Sequence, residues 1–118
     1  MVRAQEGALD SQSPVGNDWT FFVMHFVYIL HSTKSDIFYV GQSADVNTRL
    51  QFHNHLNPKG FTAKHRPWSL AKSIPFPNQS SAIRAERYIK KRKSRLYIQQ
   101  LIDQQDIVDN LILRFSSL

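Results

Sequence analysis

From His25 onward the chain alternates short apolar runs with polar punctuation, and each run has the length and residue types of one kind of element. Residues 25–31 (HFVYILH) and 37–40 (IFYV) are aromatic and β-branched, and the polar stretch 32–36 between them makes the pair a β-hairpin. Folding the pair about the middle of that stretch brings Tyr28 nearly opposite Tyr39, so that the two phenols become neighbours. Gly41 ends the second strand, and Asp45 is suited to N-cap a helix through Val46, Arg49, Leu50 and His53 that stops near Asn57 and Pro58. Residues 59–67 (KGFTAKHRP) read as a basic loop. Residues 68–76 (WSLAKSIPF) read as a third strand whose Pro75 suits an edge or a strand end.

Beyond a turn at Pro77 and Asn78, the positions Ile83, Tyr88 and Ile89 and the absence of Gly and Pro predict a helix from Ser81 to about Arg92. Ser94 caps a further helix with Leu96, Tyr97, Leu101 and Ile102 as its buried stripe. Residues 107–115 (IVDNLILRF) are apolar but short, and fit a last helix or a strand equally well. The element order is therefore β-β-α-β-α-α, an α+β fold with a three-stranded antiparallel sheet flanked by helices. Residues 1–24 lack either hydrophobic period and read as a flexible extension, with Met24 a candidate start. The folded unit is expected over residues 25–103, followed by a tail of undecided structure over 104–118.

Charge changes this picture more than length does. Between His25 and Ile102 thirteen Lys and Arg stand against three acids, whereas the flanks carry two bases and six acids. The basic charge thus belongs to the middle of the chain, where it would attract a polyanion, of which nucleic acid is the commonest. With no cysteine, thiolate ligands, disulfides and a cysteine nucleophile are excluded. No apolar run is long enough to cross a bilayer, and no signal-peptide core is visible, so no membrane partner is expected and a cytoplasmic location is the default.

FVYIL, then FYVGQS, then Ala44-Asp45 with Arg49 and His53-Asn54, then FTAKHRPW, then a helix carrying Glu86 and ending IKKRKSRLYIQQLI follow one another over about residues 25–103. This ordered set resembles the GIY-YIG endonuclease superfamily, and within it the small bacterial single-domain branch. Phe26-Val27-Tyr28 stands where that family has Gly-Ile-Tyr, and Tyr39-Val40-Gly41 where it has Tyr-Ile-Gly. The resemblance implies a metal-dependent nuclease whose catalytic residues are Tyr28, Tyr39, Arg49, His53 and Glu86, with Glu86 as the single metal ligand. The implied ion is Mg²⁺ or Mn²⁺, and the implied substrate is nucleic acid, with DNA ahead of RNA. Two departures stand out: Phe26 replaces a glycine, and Gln42 stands where repair-type members often have a lysine.

Elementary chemistry supports the same residues. Phosphodiester hydrolysis needs a deprotonated water, a cation on the phosphate and a Lewis acid near the leaving oxygen. Arg49 and His53, four apart on one helix, share a face, and a guanidinium fork can hold two phosphate oxygens. Glu86 is the one acid among seven bases between Arg84 and Arg95, and a hard cation is commonly held by one or two carboxylates plus substrate oxygens. Tyr28, Tyr39 and His53 are alternative general bases. His53 and His55, two apart, face different ways and make no zinc pair. Lys59, Lys64, Arg66, Lys90, Lys91, Arg92 and Lys93 are expected to hold the phosphate backbone without reading bases. Competing expectations are a non-catalytic nucleic-acid-binding module of the same fold, or a domain whose basic helix meets an acidic protein. A chain of this size leaves target choice to low intrinsic specificity or to a partner protein.

Overall fold

A computed structural model describes residues 24–56 and 59–116. The expected N-terminal extension, and the helix end near Asn57 and Pro58, lie outside the described residues. The elements are β1 (His25–Ser32), β2 (Ile37–Ser43), α1 (Val46–Gln51), α2 (Phe61–Lys64), β3 (Trp68–Phe76), α3 (Gln79–Arg92), α4 (Arg95–Asp103) and α5 (Gln105–Ser116). A π-helical turn, Phe52–Leu56, continues α1. The sheet is antiparallel throughout with β1 in the middle, in the order β2-β1-β3. The α+β architecture is the expected one, and β3 is an edge strand, as Pro75 demands.

Because β1 is covered on both faces, Val27 to Leu30 are all buried, which is why its sequence is a nearly continuous apolar run rather than an alternation. Successive side chains still point to opposite sides. Val27 and Ile29 join Ile74, Phe76, Ala85, Ile89 and Leu101 in the main core, which α3, α4 and α5 share with the sheet. Tyr28 and Leu30 enter a smaller second cluster with Trp68, against which Tyr39, Val46 and Leu50 pack. That second cluster is the floor of the candidate site.

The helix starts follow the local signals. The side chains of Asp45, Asn78 and Ser94 accept from the amides of Thr48, Ser81 and Tyr97, at 3.0, 2.8 and 3.0 Å. Three expectations need correction. Residues 59–67 are not simply a loop, because they contain α2, held by Trp68 Nε1–H donating to Thr62 O (2.9 Å) and Ser32 Oγ–H donating to His65 O (2.6 Å). Leu96 is 69 % exposed, and the buried stripe of α4 consists of Tyr97 and Leu101 with Ile98 and Ile102 packed beside them. Tyr28 pairs with Gly41, and Tyr39 with Leu30, so the tyrosines are diagonal rather than opposite. The turn sets this register: Asp36, at φ 53°, closes it so that Ser32 faces Ile37. Residues two apart share a face, so the observed register keeps both phenols on one side of the sheet.

The segment that the pattern left open is α5, which buries Val108 and Leu111 in the main core. Fully burying such a side chain contributes about 1.5–3 kcal/mol. A chain ending at Gln104 is therefore expected to lose at least about 3 kcal/mol of stability relative to the full chain, read as a lower midpoint in urea denaturation. An unchanged midpoint would mean that α5 adds nothing to the core.

Candidate active site

Tyr28 is 2 % exposed, and its ring lies across the backbone of β2 at Gly41. A Cβ on Gly41 would overlap the phenol, at 2.5 Å from Cζ, so this glycine is required by the tyrosine packed on it. The phenol meets His53 Nε2 at 3.0 Å, and His53 Nδ1 meets Thr62 Oγ1 at 3.0 Å. His53 is buried at 2 % exposure because the extra residue of the π-helical turn rolls it from the end of α1 into the sheet. Asn54 in the same turn exchanges two hydrogen bonds with the Trp68 backbone, at 2.9 and 2.7 Å, and so fixes the turn to β3.

Burial, with help from the Arg49 and Arg66 charges, lowers the His53 pKa to about 4, so the imidazole is neutral near pH 7 and carries one N–H. The tautomer follows from the neighbours. The buried phenol O–H needs an acceptor, and Arg49, which favours the phenolate by hydrogen bonding, can only donate to the phenol. Tyr28 therefore donates to His53 Nε2, and His53 Nδ1–H donates to Thr62 Oγ1. The Tyr28 pKa is raised from the ordinary tyrosine value, mainly by burial and further by Tyr39 and Glu86, against the opposing Arg49. A hydrogen-bonded chain Tyr28–His53–Thr62 results. Thr62 was not anticipated from the sequence, where it is one threonine in a basic segment with nothing to tie it to His53.

Tyr39 closes the site from the β2 edge. Its ring lies 6.5 Å from that of Tyr28 and 4.9 Å from that of His53, between centroids, and its other side is stacked by the exposed Phe61 of α2 at 6.4 Å. From α3, Lys90 Nζ approaches to 5.8 Å from the Tyr39 ring centroid while pairing with Glu86 Oε2 at 2.6 Å. Glu86 thus pairs with Lys90 one turn on, and not with Arg49, whose guanidinium lies 4.5 Å from the Phe52 ring centroid. Tyr28, Tyr39, Arg49, His53 and Glu86, which come from four separate segments, are consequently brought around one phenol.

The basic residues divide. Lys90 belongs to the site, and Arg66 supports it, its Nε donating to the His53 carbonyl. Arg92 stacks on Tyr97 at 4.1 Å and donates to Tyr88 Oη at 3.0 Å, on the side of α3 that meets α4. Lys59, Lys64, Lys91 and Lys93 are exposed. Gln42 is bonded to His25 and lies away from the phenols, on the opposite face of β2 from Tyr39 and Gly41.

An antiparallel hairpin carrying two tyrosines thus lies beside Arg49 of α1 and His53 of the π-helical turn, with Glu86 on the later helix α3. The family model for the GIY-YIG catalytic domain matches residues 24–99, and the chain belongs to that family of nucleases, whose members generally depend on a divalent metal. It is similar to the UPF0213 protein YazA of Bacillus subtilis (strain 168), at 30% identity over 87 residues, 71% of this chain and 87% of the relative. It is also similar to a UPF0213 protein of Staphylococcus aureus (strain Mu3 / ATCC 700698), at 32% identity over 76 residues, 61% of this chain and 92% of the relative.

Two outcomes are expected. His53 binds protons less readily in the folded chain than in the unfolded one, so its contribution to stability is intact above about pH 6.5 and is lost progressively toward pH 4. The loss is at most of the order of 3 kcal/mol, and a His53→Gln variant should flatten this part of the pH–stability curve. Equal slopes for the two proteins would contradict a buried neutral imidazole. Gly41→Ala should cost about 1–3 kcal/mol by forcing Tyr28 aside, and a melting point equal to that of the original chain would refute the close approach.

Proposed function

We propose that the chain is a divalent-metal-dependent endonuclease that hydrolyses phosphodiester bonds in nucleic acid, DNA in preference to RNA, with Tyr28 at the centre of proton transfer. The observation that carries this reading is the hydrogen-bonded chain from Tyr28 through His53 to Thr62, with Arg49 beside the same phenol. Tyr28, deprotonated to solvent under the pull of Arg49 and a bound cation, takes the proton of the attacking water. The restored phenol donates to Nε2 of the neutral His53, whose Nδ1–H stays on Thr62 and holds the ring in place. The water oxygen bonds to phosphorus, the opposite P–O ester bond breaks, and its electron pair leaves with the departing oxygen. Arg49, half-buried beside the phenol, offers its guanidinium fork to the phosphate oxygens as charge develops.

Among the described residues no cluster of three or more His, Asp or Glu surrounds a point, so a metal would have Glu86 as its one carboxylate. The fit is reasonable for a hard cation that keeps most of its waters. Glu86 is only 17 % exposed, and its carboxylate is already neutralised by the Lys90 ammonium, a position that a cation can take over. Mg²⁺ or Mn²⁺ bound there would supply Lewis-acid stabilisation of the reacting phosphate. Lys59, Lys64, Arg66, Lys90 and Lys93 draw the phosphate backbone to this side of the molecule. A location in the cytoplasm, and a partner protein that directs the enzyme to its target, complete the proposal.

Glu86→Gln should retain the melting temperature within a few degrees and lose cleavage by at least about a hundredfold, while binding of nucleic acid in chelator is unchanged or tighter. Tyr28→Phe should lose cleavage by about a hundred- to ten-thousandfold. Cleavage of labelled single-stranded, duplex, flap and junction substrates with Mg²⁺ or Mn²⁺ measures both. Unchanged rates in either variant would remove that residue from the mechanism, and an original chain that binds every substrate but cuts none is a binding module.

A further inference from the structure

At the junction of α3 and α4, Lys93 adopts the left-handed conformation, φ 48° and ψ 44°, with its N–H bonded to Lys90 O at 3.2 Å. Glycine is the residue that takes this helix-ending position without steric cost, and a side chain is retained there against that cost. Among the described residues Lys93 has no ion-pair partner, whereas Lys90 is paired with Glu86 and Arg95 with Asp36, at 2.6 and 2.9 Å.

Lys93 opens onto a cavity of about 360 Å³ between β2 and the α3–α4 junction, with an apolar floor from β2, Ile89 and Ile98 and a rim of Tyr39, Lys90, Ser94 and Arg95. Three cations and no carboxylate face this space. Ser94 brings the N-terminal end of α4 to it, which adds a partial positive charge of the same sign. Tyr39 is common to the cavity and to the catalytic cluster, and Lys90 leans over its ring, so the cavity begins where the candidate active site ends.

We propose that this cavity is a second phosphate subsite, which holds a phosphodiester next to the one being cut, with Lys93 as its anchoring cation. The proposal rests on the reading of the chain as a nucleic-acid-cleaving protein and adds the course of the strand: from Arg49 and Glu86, past Tyr39, to Lys93. It also separates the cations of α3. Lys90 and Lys93 border the strand, while Arg92 is committed to the aromatic rings of Tyr88 and Tyr97 on the other side.

The test uses the full chain in chelator, where binding is measured without cleavage. Lys93→Gly supplies the residue that the backbone prefers, so its melting temperature should be unchanged or higher, and Lys93→Gln controls for the glycine. Both variants should bind a short single-stranded oligonucleotide about three- to tenfold more weakly, and the slope of log affinity against log salt should fall by about 0.7 for the lost contact. Affinity and slope equal to those of the original chain in both variants would overturn the subsite, as would the absence of any binding by the original chain. Poly-glutamate binding weakened by the same factor would also overturn it, since the patch would then serve an acidic protein. The two readings fail separately. If Glu86→Gln abolishes cleavage while Lys93→Gly binds normally, only the subsite is lost. If no cleavage is ever seen but the salt slope falls in Lys93→Gly, the cavity binds a backbone phosphate of a strand that is held and not cut, and the nuclease reading is lost.

Discussion

One buried phenol organises this molecule. Tyr28 sits on the central strand of the sheet with its ring over Gly41, and every neighbour is constrained by it. A phenol excluded from water needs an acceptor for its proton, or the unmatched group costs on the order of 1–3 kcal/mol. His53 meets that need, but only by being buried itself, which in turn requires a partner for its second nitrogen, and Thr62 supplies it. Thr62 belongs to α2, so the short helix must be held in place, and Trp68 and Asn54 tie this region to β3. The second hydrophobic cluster is thus the support of a polar chain as well as a piece of core.

The electrostatic balance around the phenol is what gives the arrangement chemical potential. Burial raises the Tyr28 pKa while Arg49 opposes it, and the same burial keeps His53 neutral, with one ring nitrogen open to the phenol's hydrogen bond. Arriving positive charge would shift this balance toward the phenolate. In the proposed reaction that charge comes to Glu86, which pairs with Lys90 and is near enough to Tyr28 to be felt there. The sheet edge at β2 makes this possible, because α3 can bring Glu86 and Lys90 alongside Tyr39 only where no further strand intervenes.

Much was determined by the sequence itself, and where it was, the cause is local. The three strands, the caps at Asp45 and Ser94 and the helix that carries Glu86 depend on side chains acting within a few residues of themselves. Tyr28, Tyr39, Arg49, His53 and Glu86 stood out through their ordered spacing, and that spacing is a property of the chain. The tertiary structure decided the rest, because it depends on pairings between distant segments. The hairpin register lies two residues from the one read off the loop, which leaves both phenols on one face as expected but diagonal, and the pattern of apolar residues in a strand buried on both sides does not fix that choice. The π-helical turn that buries His53, the use of Thr62 as its partner, and the choice of Lys90 over Arg49 as the neighbour of Glu86 all involve residues whose local sequence would allow other answers. The amphipathic segment after Asp103 became α5 for the same reason: its apolar side is matched by a core surface that exists only once the sheet, α3 and α4 are assembled.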